Sequence, residues 1–244
     1  FMINPTPALL KLCKINVKRT IVPYLLQLNE TGYLNGHVPL SAAIAFISIF
    51  TAAAAKCQYV AISNERSSDE GNVTYLGQEI NHQYSKTLEF ETDLNTYLSP
   101  ITSVKYFSFL RPLYETQITK LFSHYPQYFN IFTSCNKNFK IDPKQHPIGR
   151  LWCKTCPKCV SLALLLTPWI GKDKVTEIMG RYPPDMPQNQ EILKELRGEK
   201  PVKPFECVLT RAEAQGIIDL TSWLDNPNMP PIFTKILKDA YTNS

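Results

Sequence analysis

The sequence predicts an α/β protein, with a parallel sheet and flanking helices followed by a helical part that carries a cysteine knuckle. An apolar helix pattern at residues 39–56 leads into a short apolar strand pattern at 58–63, and a polar loop begins where that strand ends. This order is typical of open α/β sheets, in which ligands bind beyond the carboxyl ends of the strands. Further along, cysteines with the spacing of metal ligands precede a strongly apolar helix pattern.

Two short strands are predicted before the first helix. Residues 1–4 are apolar and lead into a turn marked by Pro5 and Pro7, and residues 14–22 are rich in β-branched side chains. A strand pattern that starts at Phe1, the first residue, is unusual for a natural domain. We therefore expect the chain to be a fragment whose N-terminal part is missing.

The apolar run at residues 39–55 is predicted to be a buried helix and not a membrane span. It is about 17 residues long, is rich in alanine, and includes Ser41, Ser48 and Thr51. No stretch resembles a signal peptide. We therefore expect a cytoplasmic protein with no membrane partner.

The later elements are predicted from hydrophobic spacing. Residues 81–98 have helical spacing in Tyr84, Leu88 and Leu94, and residues 105–122 indicate a strand or turn that leads into an amphipathic helix. A buried helix is predicted to follow the cysteines and to end at Gly171. The proline-rich stretch 181–203 predicts loops or a lid, and the last part of the chain is predicted to be helical and peripheral.

Glycine content bears on nucleotide binding. The chain contains 9 glycines, and none of them forms a glycine-rich loop, so we expect a phosphate loop to be missing. Three regions are predicted: a partial α/β nucleotide-binding domain at 1–100 that lacks its first strand and phosphate loop, a helical part with the cysteine knuckle at 101–210, and a peripheral helical tail at 211–244.

Composition and charge limit the class of partner. The chain has 244 residues, of which 44% are hydrophobic and 19% charged, and its formal net charge is +5. This charge favours an anionic ligand slightly, but it is far below the concentrated basic surface expected of a nucleic-acid-binding protein. We expect no nucleic-acid partner, and the sequence leaves the oligomeric state open.

Four of the seven cysteines are candidate metal ligands. Cys153, Cys156 and Cys159 form a C-x2-C-x2-C pattern, and Cys135 lies 18 residues upstream of the first of them. Four thiolates are the usual complete set for structural zinc, and Lys154 and Lys158 beside them offset negative charge. An iron–sulfur cluster or ordinary buried thiols remain alternatives, whereas a disulfide framework suits small secreted domains.

Three polar clusters are candidate ligand-binding segments. The loop after the predicted strand carries Asn64, Glu65, Arg66, Glu70 and Asn72, and a second cluster at residues 81–86 contains His82, Gln83 and Lys86. Together these groups could form a carboxylate or phosphate pocket, although an ordinary surface loop explains the first cluster equally well. The third cluster, with Asn35 and His37, precedes the apolar helix, where free backbone N–H groups suit an anion.

Seven segments together resemble one enzyme family. They are "LNGHVPLSA", "ISNERSSDEGN", "NHQYSKTLEFE", "LRPL", "FTSCNKNF", "WCKTCPKC" and "KPFEC", and they run in order as far as Cys207. The family is the ATP-dependent UDP-N-acetylmuramoyl-L-alanyl-L-glutamate epimerases of bacterial peptidoglycan synthesis. Its wider relatives are the ATP pyrophosphatases of the PP-loop type, which include 7-cyano-7-deazaguanine synthase with a similar four-cysteine zinc knuckle.

The resemblance implies a fold and a reaction. It implies a PP-loop sheet, ATP with Mg²⁺, a structural Zn²⁺, and a nucleotide-linked muramoyl dipeptide as the substrate. The terminal L-glutamate is converted to D-glutamate through an acyl-adenylate, because transfer of AMP removes the carboxylate charge that otherwise opposes loss of the α-proton. The family's S-G-G-x-D-S phosphate loop is absent from this sequence, so we expect the chain as it stands to be inactive.

The resemblance also suggests roles for the candidate residues. Lys86, His82 and Cys207 are the candidates for proton transfer, and Asn35 and His37 lie on the nucleotide side. The predicted substrate contacts are Asn64, Glu65, Arg66, Glu70, Asn72, Gln83 and Arg111. Two alternatives remain at this point: another PP-loop adenylating synthase, and a zinc-stabilised RNA-binding module, whose binding would depend steeply on salt.

Overall fold

The computed structural model describes residues 2–3, 21–22, 39–139 and 151–244, and it has the mixed α/β architecture that the sequence predicts. Strands β1 (Met2–Ile3) and β2 (Ile21–Val22) pair in parallel, which confirms both predicted N-terminal strands. A second parallel pair joins β3 (Tyr59–Ile62) to β6 (Lys105–Ser108) in the register Tyr59 to Lys105 and Ile62 to Ser108. The more specific PP-loop fold stays a prediction.

Helix α1 (Leu40–Ala54) and helix α2 (Leu88–Leu98) cover one side of the β3–β6 pair. Ala45, Ile49 and Ala52 of α1 are buried against Leu94 and against three other buried residues: Leu98, Val104 and Tyr106. Alanine at the contact positions lets the helix approach the sheet closely, which is the physical use of the Ala-rich pattern. The helix predicted at 39–56 is therefore confirmed, but it is buried on one face only, since Phe46 and Phe50 on its other face are exposed.

Two local expectations differ from the structure. Strand β3 is only partly covered, because Val60 and Ile62 face α1 while Tyr59 and Ala61 are exposed. Tyr84 lies in a separate 3-10 turn at Tyr84–Lys86, outside α2, although its spacing suggested the same helix. The Thr87 hydroxyl accepts a hydrogen bond from the Phe90 N–H, and this side-chain cap starts α2 at Leu88.

The polar loop after β3 is followed by a hairpin that the hydrophobic pattern did not indicate. Strands β4 (Val73–Tyr75) and β5 (Gln78–Ile80) are antiparallel and are joined by Leu76 and Gly77. Both connecting residues have positive φ, 51° and 77°, as two-residue hairpin turns require. Leucine is unusual at such a position, where glycine or asparagine is expected, and for this reason the sequence did not predict the turn.

The second half of the chain is helical. Its elements are α3 (Glu115–Ser123), α4 (Pro157–Ile170), α5 (Lys172–Met179), α6 (Gln190–Leu196), α7 (Arg211–Gln215) and α8 (Pro231–Thr242). Helix α4 ends at Gly171 as predicted, and α6 lies within the stretch expected to be loops or a lid. Among the described residues, no helix is long and apolar enough to cross a membrane.

The C-terminal segment packs directly on the sheet. Leu237 and Tyr241 of α8 are buried with Phe107 of β6, and the ring of Phe233 lies 5.1 Å from the ring of Phe107. Asn226, which precedes α8, donates hydrogen bonds to the Ser108 carbonyl and to Glu91. The residues assigned from the sequence to a peripheral tail thus contribute to the core beneath β6.

The position of Phe107 leads to a stability prediction. Its side chain is fully buried between the sheet and α8, so Phe107→Ala leaves a cavity and should lower the free energy of unfolding by about 3–5 kcal/mol. The matched control is Phe50→Ala on α1, because Phe50 is 76% exposed. Chemical denaturation measures both variants, and equal losses would contradict this description of the core.

Candidate functional site

A buried arginine organises the loop that follows β3. The side chain of Arg111 is 1% exposed, and its guanidinium donates hydrogen bonds at 2.9 Å to the Glu65 carbonyl and to Ser68 Oγ, and a further one to the Lys86 carbonyl. The same guanidinium forms ion pairs with Asp69 at 3.2 Å and with Glu91 at 3.7 Å. Arg111 thereby joins the 63–72 loop, the 84–86 turn and helix α2.

An ion pair between buried Lys203 and half-buried Glu70 connects the loop to the C-terminal half. Lys203 is 1% exposed, and its ammonium contacts the carboxylate of Glu70. Both oxygens of that carboxylate also accept the N–H of Arg211 at 3.2 Å. Because the buried ammonium of Lys203 requires a negative partner, its pairing with half-buried Glu70 holds the segment around residue 203 beside the loop.

Asn72 connects the same two segments through its side-chain amide. Asn72 is 1% exposed, and its Nδ2 donates to the Pro204 carbonyl at 2.7 Å. Its Oδ1 accepts the His82 N–H at 3.1 Å and lies 2.6 Å from His82 Nδ1. The His82 ring in turn packs edge-on against Phe205, at 5.9 Å between ring centroids. Asn72 therefore positions both His82 and the segment that leads to Cys207.

These contacts bring Lys86 and Cys207 together, although they lie 121 positions apart in sequence. Lys86 Nζ is 2.9 Å from Cys207 Sγ, which is hydrogen-bonding distance for an ammonium and a sulfur. Both residues line a cleft of about 400 Å³ and an adjoining smaller cleft of about 180 Å³, and Lys158 also lines both. We take the junction of the two clefts as the candidate active site.

Several residues predicted from the sequence reach these clefts. Asn64 and Glu65 line the larger cleft, and His82 and Gln83 line the smaller one. The other predicted substrate contacts, Arg66, Glu70, Asn72 and Arg111, do not line either cleft. Arg66 stacks over the Tyr114 ring at 5.7 Å, and the remaining three make the internal contacts described above. Their contact with a substrate stays a prediction.

The nucleotide candidates Asn35 and His37 lie outside the described residues. Two further cleft residues were not identified from the sequence: Glu115, the first residue of α3, and Lys158, the second residue of α4. No motif marks Glu115. Lys158 was noted in the sequence only as a neighbour of the cysteines. That proximity was the one sequence feature that could have indicated a place near the site.

Glu115 has the most perturbed carboxyl group of the larger cleft. Burial raises the pKa of Glu115 well above its usual value, and the negative charges of Glu65 and Glu213 raise it further. The positive charges of Lys158 and Lys203 oppose this shift only in part. A carboxyl group with a raised pKa retains its proton to higher pH than an exposed one.

The four predicted cysteine ligands converge in space. The sulfurs of Cys135, Cys153, Cys156 and Cys159 all lie within 4.8 Å of one another, and two of the separations are 3.5 and 3.9 Å. A tetrahedral ion about 2.3 Å from each sulfur keeps the sulfurs about 3.8 Å apart, so the cluster fits such an ion. Backbone N–H groups of Cys153 and Thr155 donate to the sulfurs at 3.3 and 3.4 Å, as is usual around bound thiolates.

The backbone of the cysteine knuckle at residues 153–159 is strained at Lys154, and a buried asparagine holds it by a hydrogen bond. Lys154 has a φ of 68°, which costs about 1 kcal/mol or more for a residue with a β-carbon. The fully buried Asn189 donates to the Lys154 carbonyl at 2.8 Å and to the Pro183 carbonyl at the same distance. Hydrogen bonding with Cys135 lowers the pKa of Cys153 and raises the pKa of Cys159.

The cysteine cluster and the cleft share helix α4. Cys156 is the N-cap residue of the helix and Cys159 lies in its first turn, so these two cysteines flank Lys158 in sequence. The Lys158 N–H donates to the Glu206 carboxylate at 3.3 Å, next to Cys207. An acidic side chain at a helix N-terminus is favourable, so this contact fixes the Cys207 segment to the start of α4.

Comparisons with known proteins identify relatives over the whole described length. The family model for the MurL N-terminal domain matches residues 2–109, and that for the MurL C-terminal domain matches residues 131–241. UDP-N-acetyl-alpha-D-muramoyl-L-alanyl-L-glutamate epimerase of a Micromonospora species is 32% identical over 99% of this chain and 56% of its own length. The proteins of the same name from Salinispora tropica and Xanthomonas oryzae are 33% and 35% identical over 92% and 80% of this chain.

The matches cover most of this chain but only part of each relative. The chain spans about half the length of the curated relatives it matches, since it covers 56%, 50% and 43% of the three. No solved structure is similar to the chain at a significant level. The relatives therefore support the resemblance seen in the sequence, and the cleft geometry comes from this structure alone.

The Arg111 contacts predict a large effect of mutation on stability. Arg111→Gln leaves Asp69 and Glu91 without their cation, and breaking a buried pair of this kind costs about 3–5 kcal/mol. Arg181→Gln is the matched control, because Arg181 is exposed and should change stability by less than about 0.5 kcal/mol. Denaturant titration compares the two, and a small loss in Arg111→Gln would refute the proposed organising role.

Proposed function

The chain belongs to the MurL family, and from that premise we propose that it takes part in converting the terminal L-glutamate of UDP-N-acetylmuramoyl-L-alanyl-L-glutamate to D-glutamate, for peptidoglycan synthesis. The observation that carries the proposal is the contact between Lys86 and Cys207 at the junction of the two clefts. A thiol beside an ammonium is a suitable group for moving a proton at a carbon atom. The names of the relatives favour this reaction over the other PP-loop synthases.

The chemistry explains why the reaction needs activation. Removal of the α-proton beside an ionised carboxylate produces a dianion, which is very costly in free energy. We propose that ATP serves as a co-substrate, with Mg²⁺, and that adenylation of the carboxylate removes its charge. The chain's own residues then have two tasks: binding an anionic dipeptide and transferring the α-proton.

The cleft residues can be assigned to these tasks. Lys158 and Lys86 supply positive charge for the carboxylates of the peptide, and Asn64 supplies an amide for hydrogen bonds in the larger cleft. Cys207 takes or returns the α-proton, and Lys86 balances the charge of the thiolate during the step. Arg111, Asn72 and Lys203 hold the three segments that carry these groups.

We further propose that the four-cysteine cluster binds a structural Zn²⁺. The sulfur separations fit this ion, and four cysteine ligands leave no position open for a substrate. The ion would tie Cys135 to the knuckle at residues 153–159. Its effect on the reaction is therefore indirect, through the position of Lys158 at the start of α4.

Activity can be tested on the protein expressed from its complete coding sequence. Incubation with UDP-N-acetylmuramoyl-L-alanyl-L-glutamate, ATP and Mg²⁺ should yield D-glutamate and AMP together, and D-glutamate should not form without ATP. Cys207→Ala should lower epimerisation by roughly 10²–10⁴-fold while AMP still forms. Cys57→Ala is the control, because Cys57 is exposed and outside both clefts. Folded wild-type protein that forms neither product would disprove the proposal.

Metal content provides an independent prediction. Elemental analysis of the purified protein should find one zinc per chain, and Cys135→Ser should lose the metal and lower the Tm, because metal binding is coupled to folding. Cys57→Ser, which changes an exposed thiol outside the cluster, should retain both zinc and the wild-type Tm. Iron with sulfide in place of zinc would support an iron–sulfur cluster instead.

A further inference from the structure

We propose that Glu115 is a second proton carrier of the larger cleft, acting with Cys207 in the epimerisation. This inference rests on the proposed function, and it adds a residue that neither the sequence motifs nor the names of the relatives indicate. Glu115 and Cys207 line the same cleft of about 400 Å³ together with Lys86 and Lys158. Glu115 does not line the smaller cleft, whereas Cys207 lines both.

The position of Glu115 is set by its helix. Glu115 is the first residue of α3, directly after Tyr114, which is the N-cap residue of that helix. The N–H and hydroxyl of the next residue, Thr116, bond to Glu213. The start of α3 is therefore anchored without using the Glu115 carboxylate.

Four other carboxylates in this region differ from Glu115, because each of them accepts hydrogen bonds or forms an ion pair within the protein. Asp69 accepts the Leu88 N–H and pairs with Arg111, and Glu70 pairs with Lys203. Glu91 bonds to Ser108, and Glu213 accepts four hydrogen bonds from the Thr116 and Thr210 backbone and hydroxyl groups. Within the part of the chain that the structure describes, no hydrogen bond or ion pair holds the Glu115 carboxylate, which remains available to a substrate.

The raised pKa of Glu115 suits proton transfer. Burial, followed by the charges of Glu65 and Glu213, raises the pKa of its carboxyl group, and only Lys158 and Lys203 act in the opposite direction. General acid–base groups work best when their pKa is close to the working pH, so a raised value favours proton transfer at neutral pH. An exposed glutamate is almost entirely ionised there.

Inversion at carbon requires proton transfer on two faces. In one direction, the Cys207 thiolate takes the α-proton, an S–H bond forms, and the electrons of the C–H bond move into the enolate of the activated glutamyl group. The protonated Glu115 then gives its proton to the opposite face of the α-carbon, a new C–H bond forms, and Glu115 becomes a carboxylate. The Cys207 thiol then releases its proton to water and the Glu115 carboxylate takes one proton from water, which restores both groups. The reverse reaction uses the same two groups with exchanged roles.

The test compares solvent exchange with inversion in Glu115→Gln. Wild-type protein, expressed from its complete coding sequence, is supplied with ATP and Mg²⁺ in D₂O, with the L-glutamyl or the D-glutamyl substrate in separate reactions. We expect Glu115→Gln to lose epimerisation by at least roughly 100-fold and to incorporate deuterium into one epimer only. Cys207→Ala should incorporate deuterium into the other epimer only. AMP formation should persist in both variants.

The other outcomes separate the two proposals. Wild-type protein without D-glutamate formation would overturn the proposed function itself. With an active wild type, near-normal epimerisation in Glu115→Gln would overturn the role of Glu115, and so would loss of exchange from both epimers or loss of AMP formation. Glu177→Gln is the control for the substitution, because Glu177 is an exposed residue of α5.

Stability against pH gives a readout of the same group without a substrate. Because the pKa of Glu115 is higher in the folded protein, the folded state binds this proton more tightly than the unfolded state. Its contribution to stability is therefore complete below the usual carboxyl range and is lost as the pH rises through the folded-state value. Glu115→Gln should show an upward shift in Tm at neutral pH that disappears in acid. A lower Tm at neutral pH would contradict the raised pKa.

Discussion

The candidate site depends on the buried charge of Arg111. A guanidinium removed from water must be paired, and here its partners are Asp69, Glu91 and the carbonyl groups of Glu65 and Lys86. Those partners lie on the loop after β3, on helix α2 and on the turn that precedes α2. Because one rigid, planar side chain contacts all three, Glu65 and Lys86 are placed with little freedom at the edge of the cleft.

A buried charge that must be paired also connects the two halves of the chain. The pairing of buried Lys203 with Glu70 and the amide of Asn72 fix the segment that leads to Cys207 against the loop after β3. Glu206 fixes the other side of that segment to the start of α4. Groups buried in this way cost free energy unless every partner is present, so they favour a single arrangement of Cys207 beside Lys86.

The cysteine cluster and the cleft are both built on the start of helix α4. Cys156 and Cys159 lie on either side of Lys158 in sequence, and the strained backbone at Lys154 is supported by Asn189. A metal ion in this cluster would therefore fix the start of α4 without taking part in the chemistry. In the proposed function the structural and chemical roles are separate, since the sulfurs lie at the helix start while Lys158, Glu115 and Cys207 line the cleft.

The sequence by itself determined the mixed α/β class, the main helices and the four clustered cysteines, because hydrophobic periodicity, the glycine that ends α4 and cysteine spacing are local signals. The family came from the resemblance of seven segments to known epimerases. It missed the hairpin turn at Leu76, where a local rule is broken. It grouped Arg111 with polar residues of the loop after β3 as substrate contacts, and it gave no sign that Arg111, Asn72 and Glu70 also make internal contacts. Only the tertiary structure decided which polar groups reach the cleft, since the contact between Lys86 and Cys207 spans 121 positions and no local pattern encodes it. The physical reason is that burial and pairing depend on which segments meet, and the same contacts raise the pKa of the Glu115 carboxyl group, chiefly through its burial.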